Sequence, residues 1–136
     1  MSSPILIAIG ANLPSSHGSP RQTCDAVLPE LARRGVRVVA RSRWYESAPV
    51  PISDQPWFVN GVVAVETALT PEQLLAELHD IERSFGRVRR EVNAARVIDL
   101  DLISCGEMVR AGPAAPVLPH PRLTDRAFVL LPMADI

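Results

Sequence analysis

Apolar residues along this chain change their spacing several times, and each change marks a new element. Ile5 to Ile9 is a short isoleucine-rich run followed by Gly10-Ala11-Asn12, the pattern of a buried strand ending in a polar turn. Ser19-Pro20-Arg21-Gln22 then combines an N-cap hydroxyl, a first-turn proline and a glutamine placed to complete a capping box. Cys24, Val27, Leu28 and Leu31 follow at helical spacing, so a helix is predicted, weakened by Pro29. After Gly35, Val36 to Tyr45 is rich in β-branched residues and predicts a second strand, stopped before Ala48-Pro49-Val50-Pro51.

Phe58 to Glu66 carries the clearest strand pattern and is expected at the sheet centre, with Gly61 inside it predicting a bulge or a close backbone approach. Thr70-Pro71-Glu72-Gln73 repeats the helix-start signal, and Leu74, Leu75, Leu78 and Ile81 share one stripe up to Gly86. Arg96 to Ser104 alternates, with Ile98, Leu100 and Leu102 on one face and Asp99 and Asp101 on the other. Prolines and a histidine make Gly112 to Pro121 a loop, and Leu123 to Leu131 predicts a short helix ended by Pro132. The order is strand, helix, strand, strand, helix, strand. Two βαβ halves of this kind pack as an α+β, ferredoxin-like split βαβ antiparallel sheet with both helices on one face. The other face then needs cover, some of it from the tail.

Length and composition narrow this picture. The chain has 136 residues, 47% hydrophobic and 21% charged, the profile of a single globular domain over residues 1–136. A net charge of −1 leaves no global field for nucleic acid or an anionic membrane, and neither partner is expected. All cations are arginine. Without lysine, a phosphate-loop lysine, a protein-kinase lysine and a lysine Schiff base are excluded, and any phosphate must be held by arginine. Cys24 and Cys105 lack the spacing of a disulfide framework or a zinc finger. No apolar stretch approaches a membrane span, and the N-terminus lacks a basic signal-peptide region, so a cytoplasmic protein is expected.

Asp99 and Asp101 are the most informative pair. Residues i and i+2 of a strand point the same way, with Cα atoms about 7 Å apart. Such carboxylates are either a solvated strand face or a site for a hard divalent cation, magnesium favouring one or two carboxylates together with phosphate oxygens. Arg83, Arg87, Arg89, Arg90 and Arg96 precede the pair, with only Glu91 in opposition. Guanidinium forks beside a carboxylate pair suit a polyphosphate, although Arg83 and Arg90 individually also fit as cations at a helix C-terminus. Phe58 and Asn60 share a strand face and suit a flat heterocycle, or else a core ring beside a turn-bonding amide. His79 and Glu82, one helical turn apart, read as an exposed helix face in the absence of a matching pair. His120 is a structural histidine or, beside an anionic substrate, a hydrogen-bond donor.

IAIGANL, DQPWFVN, FGRVRR, RVIDLDLI and LPHPRLTDRAFVLLP, in this order and nearly end to end, closely resemble the pyrophosphokinases that act on hydroxymethyl-dihydropterin in folate synthesis. The resemblance implies a ferredoxin-like α/β/α sandwich that binds ATP, magnesium and a reduced pterin, transfers pyrophosphate to 6-hydroxymethyl-7,8-dihydropterin and releases AMP. It implies that Asp99 and Asp101 hold two Mg2+ ions and act in catalysis with Arg87 and Arg96. Arg87, Arg89, Leu102, His120 and Arg126 fall at ATP-contacting positions. Phe58 and Phe128 match the rings that sandwich the pterin, Asn60 the amide that reads its edge, and Ser47 and Val50 the rest of that pocket. Glu82 matches a position near the arginine loop. Partners are then these small molecules, with the protein a monomer or homodimer.

The chain also departs from the family pattern. Glu91-Val92-Asn93-Ala94-Ala95 has no aromatic where members usually carry a tryptophan in a longer loop, and typical members continue beyond Asp135-Ile136, so part of the sheet's cover is expected to be missing here, with a partner subunit able to supply it. These departures define the alternative reading, a shortened or retuned relative that binds a pterin-like ligand or a protein partner without transferring pyrophosphate. An unrelated ferredoxin-like metal module would account for the Asp pair, but not for DQPWFVN or LPHPRLTDR.

Overall fold

The structure, a computed structural model, describes residues 5–47, 57–86 and 97–105. Its elements are β1 (Ile5–Ala11), α1 (Pro20–Arg33), β2 (Arg37–Arg41), β3 (Tyr45–Ser47), β4 (Phe58–Glu66), α2 (Pro71–Ser84) and β5 (Asp99–Cys105). Both helices begin where their caps dictate. Ser19 Oγ accepts from Gln22 N and Gln22 Oε1 accepts from Ser19 N, and Thr70 and Gln73 repeat the exchange. Four first-turn amides that lack intrahelical partners are thereby reduced at each start. Helix α1 continues through Pro29 to Arg33.

The sheet order is β2-β4-β1-β5, every pairing is antiparallel, and β3 continues beside β4 beyond β2. This is the split βαβ order expected from the chain, with β4 and β1 central. Ile7, Ile9 and Ala11 of β1, Val63 and Val65 of β4, and Leu100 and Leu102 of β5 project to one side. There they pack on Cys24, Val27 and Leu31 of α1 and on Leu74, Leu78 and Ile81 of α2. The alternate residues Ala8, Val62 and Ile103 are buried on the opposite face, with Leu6 packed against them. The predicted tail helix over Leu123 to Leu131, and the part of the sheet's cover assigned to the tail, lie outside the described residues.

Two strand predictions need correction. Residues Gly10 and Ala11 were expected in a turn, yet they remain in β1, paired with Asn60 and Val59. The expected single strand over Val36 to Tyr45 is broken into β2 and β3. At the break Ser42 Oγ accepts the Val62 amide at 2.9 Å and donates to the Arg43 carbonyl at 2.7 Å, so a side chain replaces part of the backbone ladder. Trp44 then packs against the backbone at Gly61, where an added Cβ would stand 2.5 Å from two indole carbons. This is the close approach that a glycine inside a strand signals. The indole Nε1 donates to Asp25 of α1 at 2.8 Å, which ties the break to the helix layer.

Candidate functional site

The face away from the helices carries the candidate chemistry, and strand register aligns it. Tyr45, Asn60, Gly10 and Asp99 form one row across β3, β4, β1 and β5. Val62, Ala8 and Asp101 form the row beside it, and Ser47 pairs with Phe58 at the other end. Asp99 and Asp101 therefore do share a face with Asn60 and Phe58, as their places in the strands require. Asn60 is buried, and Phe58, Tyr45, Asp99 and Asp101 are partly exposed.

Ala8, Ile9, Gly10, Asn60, Gly61, Asp99 and Asp101 line one concavity. Its floor is low because β1 alternates large and small residues: Ile7 and Ile9 fill the core, while Ala8 and Gly10 underlie the site. At Gly10 a Cβ would stand 2.8 Å from Asn60 Oδ1, so the missing side chain is the space that the amide occupies. Among the described residues no group of three or more His, Cys, Asp or Glu converges. A pair of partly exposed carboxylates still fits magnesium, which completes its octahedral shell with phosphate oxygens and water.

Beneath this face, Glu82 of α2 is only 2% exposed, and its Oε2 accepts the Leu100 amide at 2.9 Å. The expectation of an exposed helix face at His79 and Glu82 is thus overturned at Glu82. It falls four residues after Leu78, on the stripe that packs against the sheet, and a backbone donor bonds its carboxylate there. Beside Asn60 in the row, Tyr45 Oη lies 2.9 Å from Arg43 Nη2, which donates to it, and the guanidinium stands 5.4 Å from the ring centre. Leu102 lies in the helix-side core at 3% exposure, so its side chain is on the face opposite Asp99 and Asp101.

Of the other residues expected at the site, Ser47 is in β3, whereas Val50, Arg87, Arg89, Arg96, His120, Arg126 and Phe128 lie outside the described residues. Gly10, Ala8 and Tyr45 are additions that the sequence reading missed. The large-small alternation of Ile7-Ala8-Ile9-Gly10 was the available signal for the first two. Cys24 is free and buried, and burial, with Asp25 nearby, pushes its thiol up to about 12, which suits packing and not reactivity.

A family model described as 7,8-dihydro-6-hydroxymethylpterin-pyrophosphokinase matches residues 6–136. The chain is 45% identical over 105 residues, 77% of its length, to the 2-amino-4-hydroxy-6-hydroxymethyldihydropteridine pyrophosphokinase of Methylorubrum extorquens, of which it covers 66%. It is 41% identical over 133 residues, 97% of its length, to the enzyme of the same name from Pseudomonas aeruginosa, covering 79% of that protein. It is also 38% identical over 132 residues to the folic acid synthesis protein fol1 of Pneumocystis carinii, but spans only 17% of that longer chain. With nearly its whole length matched, the chain belongs to the 7,8-dihydro-6-hydroxymethylpterin-pyrophosphokinase family.

Proposed function

We propose that this protein transfers pyrophosphate from ATP to 6-hydroxymethyl-7,8-dihydropterin and releases AMP, as a step in folate synthesis. The observation that carries this reading is the shared face of Asn60, Gly10, Asp99 and Asp101: an amide suited to a heterocycle edge faces, across the intervening strand β1, a carboxylate pair suited to metal-bound phosphate. Membership of the family supports it.

In the proposed reaction the pterin hydroxyl oxygen attacks the β-phosphorus, the bond from that phosphorus to the oxygen bridging to the α-phosphate breaks, and the hydroxyl proton is lost. Such a transfer asks the protein for alignment and charge neutralisation and needs no covalent nucleophile. Asp99 and Asp101 would hold two Mg2+ ions, which supply charge neutralisation to the triphosphate when bound. Asn60 and Phe58 orient the pterin, with Ser47, Val50 and Phe128 completing its pocket. Arg87, Arg89, Arg96, His120 and Arg126 take the phosphate oxygens that the metal leaves. No helix among the described residues is long and apolar enough to cross a membrane; the proposed setting is the cytoplasm, with the protein acting as a monomer or homodimer.

Incubation with ATP, Mg2+ and 6-hydroxymethyl-7,8-dihydropterin, followed by separation of nucleotides, tests the proposal. AMP is expected without ADP, and Asp99→Ala and Asp101→Ala should each cut its formation by about 10²-fold or more while the chain stays folded. Pterin binding with no AMP would instead identify a non-catalytic relative.

A further inference from the structure

Glu82 lies on the far side of the sheet from the concavity, yet it bonds the one backbone amide that separates the two candidate metal carboxylates. Its carboxylate is buried among core side chains, where an uncompensated charge is costly. Among the contacts that compensate it is the hydrogen bond from Leu100 N at 2.9 Å. Leu100, itself 2% exposed, pairs with Ile9 of β1, but its amide is turned to the helix carboxylate. Removing that acceptor would leave a buried donor in the middle of Asp99-Leu100-Asp101. The direction and separation of two side chains at i and i+2 depend on the backbone of the residue between them.

We propose that Glu82 is a positioning residue for the Asp99 and Asp101 pair: from helix α2 it anchors the Leu100 amide, and so holds the two carboxylates at the spacing that binds metal-nucleotide. This inference rests on the assignment of Asp99 and Asp101 as metal ligands. Partners beyond the ligands themselves commonly set metal affinity by orienting the ligands, and here the orienting group reaches the ligands through the main chain. A carboxylate makes a shorter, stronger bond to an amide than a neutral acceptor does. Leu74, Leu78 and Ile81 seat helix α2 in the core, which fixes where the Glu82 carboxylate meets β5.

The test separates reach from charge. Glu82→Gln keeps an acceptor at the same reach, and Glu82→Asp keeps the charge but draws the oxygens back from Leu100. Mn2+ binding, read by electron paramagnetic resonance in the presence of α,β-methylene-ATP, should weaken by about tenfold or more in Glu82→Asp and by less than about threefold in Glu82→Gln. Hydrogen exchange at the Leu100 amide should accelerate in Glu82→Asp alone. Pterin affinity, measured by calorimetry without nucleotide, should be unchanged in both variants, a separation that general loss of structure would not produce. Undiminished Mn2+ affinity in Glu82→Asp, or an equal loss in Glu82→Gln with the Leu100 amide still protected, would overturn the proposal. Asp99→Asn and Asp101→Asn are measured alongside: if neither weakens Mn2+ binding, the assignment of the ligands fails, independently of Glu82.

Discussion

Gly10 shows how one absent side chain can shape a site. It stands between Asn60 and Asp99 in the cross-strand row, and the Asn60 amide leans into the space where a Cβ would be. Since Asn60 is 5% exposed, its amide has little room to rotate away. Gly10→Ala is therefore expected to fold at a cost of about 1–3 kcal/mol for overpacking. It should raise KM for the pterin by about tenfold while leaving KM for ATP within about twofold, because the displaced group is the proposed pterin contact. Steady-state kinetics check this, and a selective rise in KM for ATP would contradict it. The Asp-x-Asp pair was legible in the sequence because i and i+2 of a strand are neighbours by local geometry alone. Gly10 was not, since its partner Asn60 lies on a different strand and the register between them is a property of the folded sheet.

At the scale of elements, the two helices were readable for the same local reason: each capping box is closed within four residues. The break between β2 and β3 was not readable, because it depends on Ser42 meeting Val62 and on Trp44 meeting Gly61, contacts that span the hairpin. Glu82 escaped for a related reason. A charged residue on an apolar stripe is expected to be exposed until the donor that meets it, Leu100 N, is known. The strand break yields its own prediction. Gly61→Ala drives a methyl group into the Trp44 ring, and because backbone holds one side and an indole tied to Asp25 the other, neither yields easily. Denaturant unfolding should show a loss of about 1–3 kcal/mol, largely recovered when Trp44→Leu is added. Equal losses in the single and double variants would mean that the indole is not the obstacle.

Over the whole molecule, the helix layer is joined by charge as well as by apolar packing. Arg34, just past α1, bonds Glu30 at 3.0 Å on its own helix, and Glu77 at 2.8 Å and Asp80 at 2.7 Å on α2. Arg33 also pairs with Glu30, and Arg83 with Asp80 at 3.1 Å. The Arg34 guanidinium holds the carboxyls of both Glu30 and Asp80 below their ordinary range, and Asp80, Glu77 and Glu30 in turn raise the pKa of Arg34. A carboxyl with a depressed pKa in the folded state contributes stability above its unfolded pKa and loses it as pH falls through the folded value. The helix layer should therefore weaken as pH drops below about 4. Melting temperatures at pH 7 and pH 3 should differ less in Arg34→Met than in the unaltered protein. An equal acid drop in both would show that the network carries no pH-dependent stability, in line with how little exposed ion pairs often contribute.

The sheet organises these scales toward one proposal: strand register brings a carboxylate pair and a buried amide onto one face, where the pair is proposed to take metal-bound triphosphate and the amide to read the pterin. The most direct measurement is a crystal structure of the protein with α,β-methylene-ATP, Mg2+ and 6-hydroxymethyl-7,8-dihydropterin. The account predicts Mg2+ coordinated by both Asp99 and Asp101, phosphate oxygens completing its shell, and the pterin edge hydrogen-bonded to Asn60. Asp99 and Asp101 engaged instead by arginine side chains, with nucleotide bound and no metal at either carboxylate, would contradict it.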